Sequence, residues 1–330
     1  AASDVYKRQK VNIIIAKGKI MDKKILSNIA LFMTALIWGL SFVAQKAGMD
    51  FVGPFSFNFA RSIIGGFSLI PVIFIAKLIQ EDNRSQKLKH LQHVLLAKAG
   101  ISCGIALFLA MSIQQYCMQY APAGKAGFIT ALYIIYVPLI SMFFGQKLSR
   151  NIKWSVVIAV IGLYLLCFKN DGSGFGKYDI ILLISAFFYG VHILVVNYFS
   201  RRVNATKVSC IQFFAVGILS IPLMLLFETP NLQGFIACKI PILYAGILTC
   251  GVAYTLQIFG QKYTAPIIAS LILCLESVFA VVGGGFILHE SMTLKEIFGC
   301  IFMISAVILS QINTKQIKKG IPQLSPQEEE

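Results

Sequence analysis

Apolar residues gather into ten blocks between Ile25 and Ile312, separated by short stretches rich in charge, glycine or proline. The blocks run from Ile25 to Val43, Phe55 to Leu78, Val94 to Tyr116, Gly124 to Phe144, Trp154 to Phe168, Ile180 to Tyr198, Val208 to Phe227, Ile240 to Gly260, Ala265 to Leu288 and Ile297 to Ile312. Most approach the roughly 20 residues that carry an α-helix across the hydrocarbon core of a bilayer, and the fifth and tenth are the shortest. Backbone polar groups in hydrocarbon must be bonded within their own segment, so such blocks are read as helices. The expected fold class is an all-α integral membrane protein with about ten transmembrane helices.

The blocks fall into two sets of five that echo each other. Ala35-Leu36-Ile37-Trp38-Gly39 in block one matches Ala186-Phe187-Phe188-Tyr189-Gly190 in block six. Ala99-Gly100-Ile101 in block three matches Ala245-Gly246-Ile247 in block eight, and Tyr120-Ala121-Pro122 before block four matches Tyr263-Thr264-Ala265-Pro266 before block nine. An odd number of spans duplicated in tandem inserts its two copies upside down, so the two five-helix repeats are expected to be inverted. Residues 21–169 form the first repeat and 170–313 the second, joined at Asn170-Asp171-Gly172-Ser173-Gly174; residues 314–330 form a tail. The leader 1–20 reads as non-native adapter sequence, with Met21 as the natural start.

Composition narrows the class. The chain is 57% hydrophobic and 13% charged, against roughly 25% charged residues in soluble domains, and its mean hydropathy is +0.76. A net charge of +15 would point to nucleic acid in a soluble protein. Here the cations sit in loops, so no nucleic-acid partner is expected and the bilayer is the partner instead. Lys23, Lys24, Lys77, Arg84, Lys87, Lys89, Lys147, Arg150, Lys153, Arg201, Arg202, Lys207, Lys262, Lys315, Lys318 and Lys319 fall on one side, whereas the other holds only Lys46, Lys125, Lys169, Lys177, Lys239 and Lys295. The positive-inside rule then puts both termini in the cytoplasm of a multi-pass cell-membrane protein, which needs an even number of spans.

Several chemistries find no support. The eight cysteines show no CxxC spacing and read as small buried hydrophobes. His289-Glu290 lacks the second histidine of a zinc-protease helix, and no phosphate-binding GxxxxGK[ST] loop occurs, so no metal or cofactor is expected. An integral-membrane enzyme acting on a lipid-linked substrate would need a cluster of acids, bases or metal ligands near an interface, and the sequence offers none. No feature decides an oligomeric state.

At this point the chain resembles the EamA-like transporters of the drug/metabolite transporter superfamily. The resemblance rests on Trp38-Gly39 with Phe42, on Arg61, on Ala121-Pro122-Ala123-Gly124 with Val137-Pro138, and on Leu275-Glu276-Ser277-Val278-Phe279. It implies ten spans in two inverted repeats, alternating access, and export of small organic metabolites, with amino acids or related compounds as the leading class. Nucleotide-sugar or phosphorylated-sugar carriage is the alternative within the superfamily. Where the family pattern has Glu-Pro in block nine this chain has Glu276-Ser277, and Gly145-Gln146 replaces Gly-Glu at the end of block four. Without its proline, block nine is expected to run straight.

The candidate site follows from the polar residues inside the blocks. Arg61 and Glu276 are the clearly intramembrane charges, and such groups are functional candidates by default. At 1.5 Å per residue Arg61 lies about 9 Å below the outer end of block two and Glu276 about 18 Å below that of block nine. Either this pair, or Glu276 alone, meets a charged substrate group or a coupling proton, or Arg61 is a structural residue paired with Glu276. Asn58 shares the face of Arg61 and lines a polar route or makes one interhelical hydrogen bond. Trp38 and Tyr189 are repeat-related aromatics able to wall a cavity. His192, one turn beyond Tyr189, is a proton relay or a bonded bundle residue. Thr130, Tyr133, Tyr136 and Gln257 complete the set, and Glu276 is the proton-coupling candidate.

Overall fold

The computed structural model describes residues 2–79, 85–121, 123–167, 176–288 and 293–312, with side chains from Met21 onward except at 123–125, 167 and 283–288. The inter-repeat joint Asn170 to Gly174, Pro122, the side chain of Lys125, the His289-Glu290 pair and the tail from 313 lie outside the described residues.

Every described element is helical. They are α1 (Ala2–Met49), α2 (Pro54–Ile79), α3 (Gln86–Cys117), α4 (Ala123–Ala131), α5 (Tyr133–Phe143), α6 (Arg150–Cys167), α7 (Lys177–Ser200), α8 (Ala205–Phe227), α9 (Leu232–Ala237) and α10 (Lys239–Leu243). A π-helical segment, Tyr244–Ala253, leads into α11 (Tyr254–Gln261), followed by α12 (Pro266–Leu273), α13 (Glu276–Leu288) and α14 (Leu294–Gln311). In the first helix the helical backbone runs from Ala2 to Met49.

Eight described segments are long and apolar enough to cross a membrane. Two of the ten expected spans fall outside that set: the fifth, whose described side chains stop short of Cys167, and the ninth, which is in two pieces. Large apolar side chains point outward along these helices, including Phe67, Phe74, Leu78, Tyr198, Leu226 and Ile308, as expected where lipid replaces water.

The repeat is visible in the packing. Helices that are each other's counterparts lie together, α2 on α8 and α6 on α14. Gly39 of α1 is pressed against block nine, so that a Cβ there would sit 2.6 Å from the Glu276 carbonyl oxygen and from Phe279 Cβ. Its counterpart Gly190 of α7 faces block four in the same way, 3.1 Å from Tyr136 Cβ. The Trp-Gly and Tyr-Gly pairs noticed in the sequence thus mark equivalent crossings of the two halves. Gly100 and Gly104 pack inside the chain, against Ile211 and Ala215 of α8.

Block nine is not straight. It breaks at Cys274 and Leu275 although no proline stands at the break, and block four breaks at the corresponding depth, at Leu132. Short i to i+3 bonds close the first break, Leu275 N–H to Ile272 O at 3.1 Å and Ser277 N–H to Cys274 O at 3.2 Å. At the second, Leu132 N–H donates to Ile129 O at 3.2 Å. The breaks touch, since the Cys274 thiol donates to the Ala131 carbonyl at 3.4 Å. A tight turn that satisfies its own backbone and finds a tertiary partner for a freed carbonyl needs no proline.

Helix ends are fixed locally. Asn204 caps α8 by accepting from Lys207 N–H at 3.1 Å, and Thr293 with Glu296 forms a capping box on α14. At the start of α2, Pro54 has no N–H to satisfy, and Glu228 from the end of α8 accepts from Phe55 N–H at 2.7 Å and Ser56 N–H at 2.8 Å.

Candidate functional site

A buried cavity opens where α1, α2, the two broken helices, α7 and the π segment converge. Its wall consists of Trp38, Ser41, Phe42 and Gln45 from α1, Arg61 from α2, Gln114 from α3, Thr130 and Tyr133 beside the first break, Tyr189 from α7, Thr249 and Tyr254 around the end of the π segment, and Glu276 beside the second break. The free volume is about 40 Å³. Since one water takes roughly 10–15 Å³ of such space, the chamber as it stands has room for only a few waters.

Small residues set this geometry. A Cβ on Gly246 of the π segment would lie 3.1 Å from the Arg61 carbonyl oxygen, and one on Gly65 would meet Cys250 at 2.5 Å. Close approach of α2 to the π segment therefore brings the arginine to the chamber. Arg61 is 2% exposed and its guanidinium lies over the Phe57 ring at 5.5 Å. Its Nε and Nη2 reach no hydrogen-bond acceptor among the described residues.

Glu276 is 5% exposed and opens α13. Its carboxyl accepts from the Tyr133 hydroxyl at 3.3 Å. Arg61 and Glu276 share the chamber without forming an ion pair, so the structural pairing weighed from the sequence is not made. Gln114 links two walls, donating to Thr130 Oγ1 at 3.1 Å and accepting from the Tyr189 hydroxyl at 2.8 Å. Trp38 packs on Tyr254 at 4.6 Å, and its indole N–H has no acceptor among the described residues; Thr249 Oγ1 and Gln45 Oε1 likewise reach no partner among them. The chamber therefore offers spare donors from Arg61 and Trp38, a spare acceptor from Gln45, a carboxyl and an aromatic wall.

Of the residues singled out from the sequence, Trp38, Arg61, Thr130, Tyr133, Tyr189 and Glu276 line this chamber, and four do not. Tyr136 turns to Phe187, with ring centroids 5.7 Å apart. His192 lies deeper, its Nε2 3.3 Å from Gln212 Oε1 and its ring against Tyr254. Gln257 is buried in α11. Asn58 makes one interhelical bond, donating to the Met111 carbonyl at 3.2 Å.

Ser41, Phe42, Gln45, Gln114, Thr249 and Tyr254 were missed. The α1 set carried a signal, because positions 38, 41, 42 and 45 repeat at three- and four-residue intervals on one helix face. Thr249 and Tyr254 carried none that α-helical spacing would reveal, since the π segment shifts the phase of everything after it.

A family model, the EamA-like transporter family, matches the chain twice, over residues 25–168 and 176–311. The chain belongs to the EamA-like transporter family. An uncharacterized transporter of Archaeoglobus fulgidus is 31% identical over 288 residues, covering 87% of this chain and 86% of that protein. The uncharacterized transporter YoaV of Bacillus subtilis is 22% identical and covers 86% of this chain and 95% of its own. One solved crystal structure shares the fold, with a TM-score of 0.70 at 17% identity over 88% of this chain and 98% of that one. The protein is a multi-pass membrane transporter of the drug/metabolite superfamily with a two-repeat helical fold.

Proposed function

We propose that this EamA-like transporter is a secondary carrier of amino acids or closely related zwitterionic metabolites, working by alternating access and directed outward. The supporting observation is that one chamber holds a guanidinium with two unpartnered nitrogens and a carboxyl, and the two do not neutralise each other. A substrate carboxylate fits the Arg61 fork. Its ammonium group fits Glu276 and the faces of Trp38, Tyr189 and Tyr254. Nucleotide-sugar or phosphorylated-sugar carriage is disfavoured, because Arg61 is the one cation among the lining residues. The chamber's polar lining does not assemble an acid–base or metal cluster of the kind an enzyme on a lipid-linked substrate would use.

Glu276 is assigned as the group that exchanges a coupling proton, and both termini as cytoplasmic, on the loop charges described above. A ligand that binds only the folded state raises thermal stability. Amino acids, nucleosides, sugars and phosphorylated metabolites screened by thermal shift in detergent should give stabilisation by amino acids, and the hits should support counterflow in proteoliposomes. Glu276→Gln should abolish the pH dependence of that transport while the variant stays folded. Stabilisation by phosphorylated sugars alone, or an unchanged pH profile in the variant, would overturn this reading.

A further inference from the structure

Below the chamber, a seam of buried polar side chains runs between α7, α8 and α11 toward the end where the sequence places the cytoplasm. Along α11, Tyr254 in the chamber wall is followed by Gln257 and Gln261, three and four residues on, so the three share one face. That face looks at α7, because Gln261 Nε2 donates to the Ile193 carbonyl at 2.9 Å and Asn197 Nδ2 donates to the Gln261 carbonyl at 3.3 Å. His192 of α7 lies between, with its ring 5.9 Å from Tyr254 and its Nε2 on Gln212 of α8. Ser209 lies one turn nearer the inner end of α8. The seam ends at the surface, where Arg201 Nε donates to the Lys262 carbonyl at 3.0 Å.

These groups are buried, His192 and Gln257 at 1% exposure and Gln212, Ser209 and Gln261 at 0%. Many of their polar atoms reach no partner among the described residues: both amide atoms of Gln257, Gln212 Nε2, Gln261 Oε1 and Ser209 Oγ. Buried polar atoms left over by the protein are ordinarily met by ordered water when several converge. Here they lie on neighbouring stretches of α8 and α11, the latter about 12 Å long from Tyr254 to Lys262 at 1.5 Å per residue.

We propose that this seam holds a file of waters that carries protons between Glu276 and the inner aqueous phase, separately from the substrate's route; the inference rests on the proton-coupling role given to Glu276 above. In the forward step the O–H bond of the protonated Glu276 carboxyl breaks and its proton joins the nearest water. An equivalent proton leaves the file at the Lys262 end, and the carboxylate remains in the chamber. The reverse step restores the acid. The ionisable groups facing the seam are Tyr189 and His192 from α7 and Tyr254 from α11. From α3, Cys103 packs beside it with Val196, Val208 and Ile258. Cys210 of α8 turns away to the Gly66 carbonyl. Arg61 and Glu276 stand at the chamber end, Arg201 and Lys262 at the other.

The test uses the full chain in proteoliposomes with an internal pH dye and a radiolabelled mixture of the twenty amino acids. Gln257→Leu removes two polar atoms from the seam and none from the chamber wall. It should cut pH-driven accumulation and dye-reported proton movement about tenfold, a barrier change of about 1.4 kcal/mol, while proton-independent counterflow stays within about twofold. Gln257→Asn, which keeps an amide in the seam, should restore coupling. Wild-type coupling in Gln257→Leu alongside lost coupling in Glu276→Gln would overturn the seam and leave the parent reading standing. Loss of counterflow in both Gln257 variants would place the residue on the substrate route and also overturn it. Wild-type coupling in Glu276→Gln, or no counterflow of any amino acid, would overturn the parent reading and the seam with it.

Discussion

Gly39 and Gly190 occupy equivalent places in the two repeats, yet replacing each by alanine should have opposite effects. In a helix alanine is favoured over glycine by about 1 kcal/mol, a gain available at both sites. At Gly190 the added methyl would lie 3.1 Å from Tyr136 Cβ and 3.7 Å from its next neighbours, so a shift of a few tenths of an ångström accommodates it. At Gly39 it would stand 2.6 Å from a backbone oxygen and 2.6 Å from Phe279 Cβ, with the Ala280 nitrogen at 2.9 Å. None of those is a flexible side-chain end, so α1 and α13 must move apart. Overpacking of this kind costs about 1–3 kcal/mol, which exceeds the propensity gain. Gly190→Ala should therefore be neutral or slightly stabilising and Gly39→Ala destabilising. Thermal denaturation of both purified variants in one detergent reads the order. Gly39→Ala also moves the helix that starts with Glu276, so its substrate-induced thermal shift should shrink as well. Equal melting of the two variants, or a more stable Gly39→Ala, would refute the close-approach argument.

Two further outcomes follow from helix ends. Glu228→Ala should lower stability by about 1–2 kcal/mol, the scale of a charged N-terminal cap, because two α2 N–H groups lose their acceptor; an unchanged melting temperature would show that water replaces the carboxylate at no cost. Asn197 donates to the carbonyls of Gln261 and Thr264 at the inner end of the seam. Asn197→Ala should speed amide exchange over Gln261 to Ala265 about tenfold, matching roughly 1.4 kcal/mol of lost local stability, and unaltered exchange would remove that residue from closing the inner end.

The membrane class, the helical fold and the repeat were legible in the sequence because each is written in short-range terms. A helix in lipid must satisfy its own backbone and show apolar side chains outward, so block length and hydropathy carry the information. The duplication survives as ordered matches such as Trp38-Gly39 with Tyr189-Gly190. Part of the chamber was legible for a related reason: Arg61 and Glu276 stand out because a charge in an apolar block is costly without a purpose.

What the tertiary structure decided is where those residues meet. The break in block nine had no proline to announce it; it exists because Leu275 and Ser277 bond back three residues and Cys274 finds the Ala131 carbonyl across the repeat interface. Thr249 and Tyr254 enter the chamber through a π-helical phase shift, and Gln114 through bonds to Thr130 and Tyr189 on other helices. His192 and Gln257 were chosen as cavity residues on local pattern, and packing placed them in the seam beneath it. Hydropathy periodicity determines which residues face away from lipid, but contacts between residues on different helices decide which of those inward faces share one space.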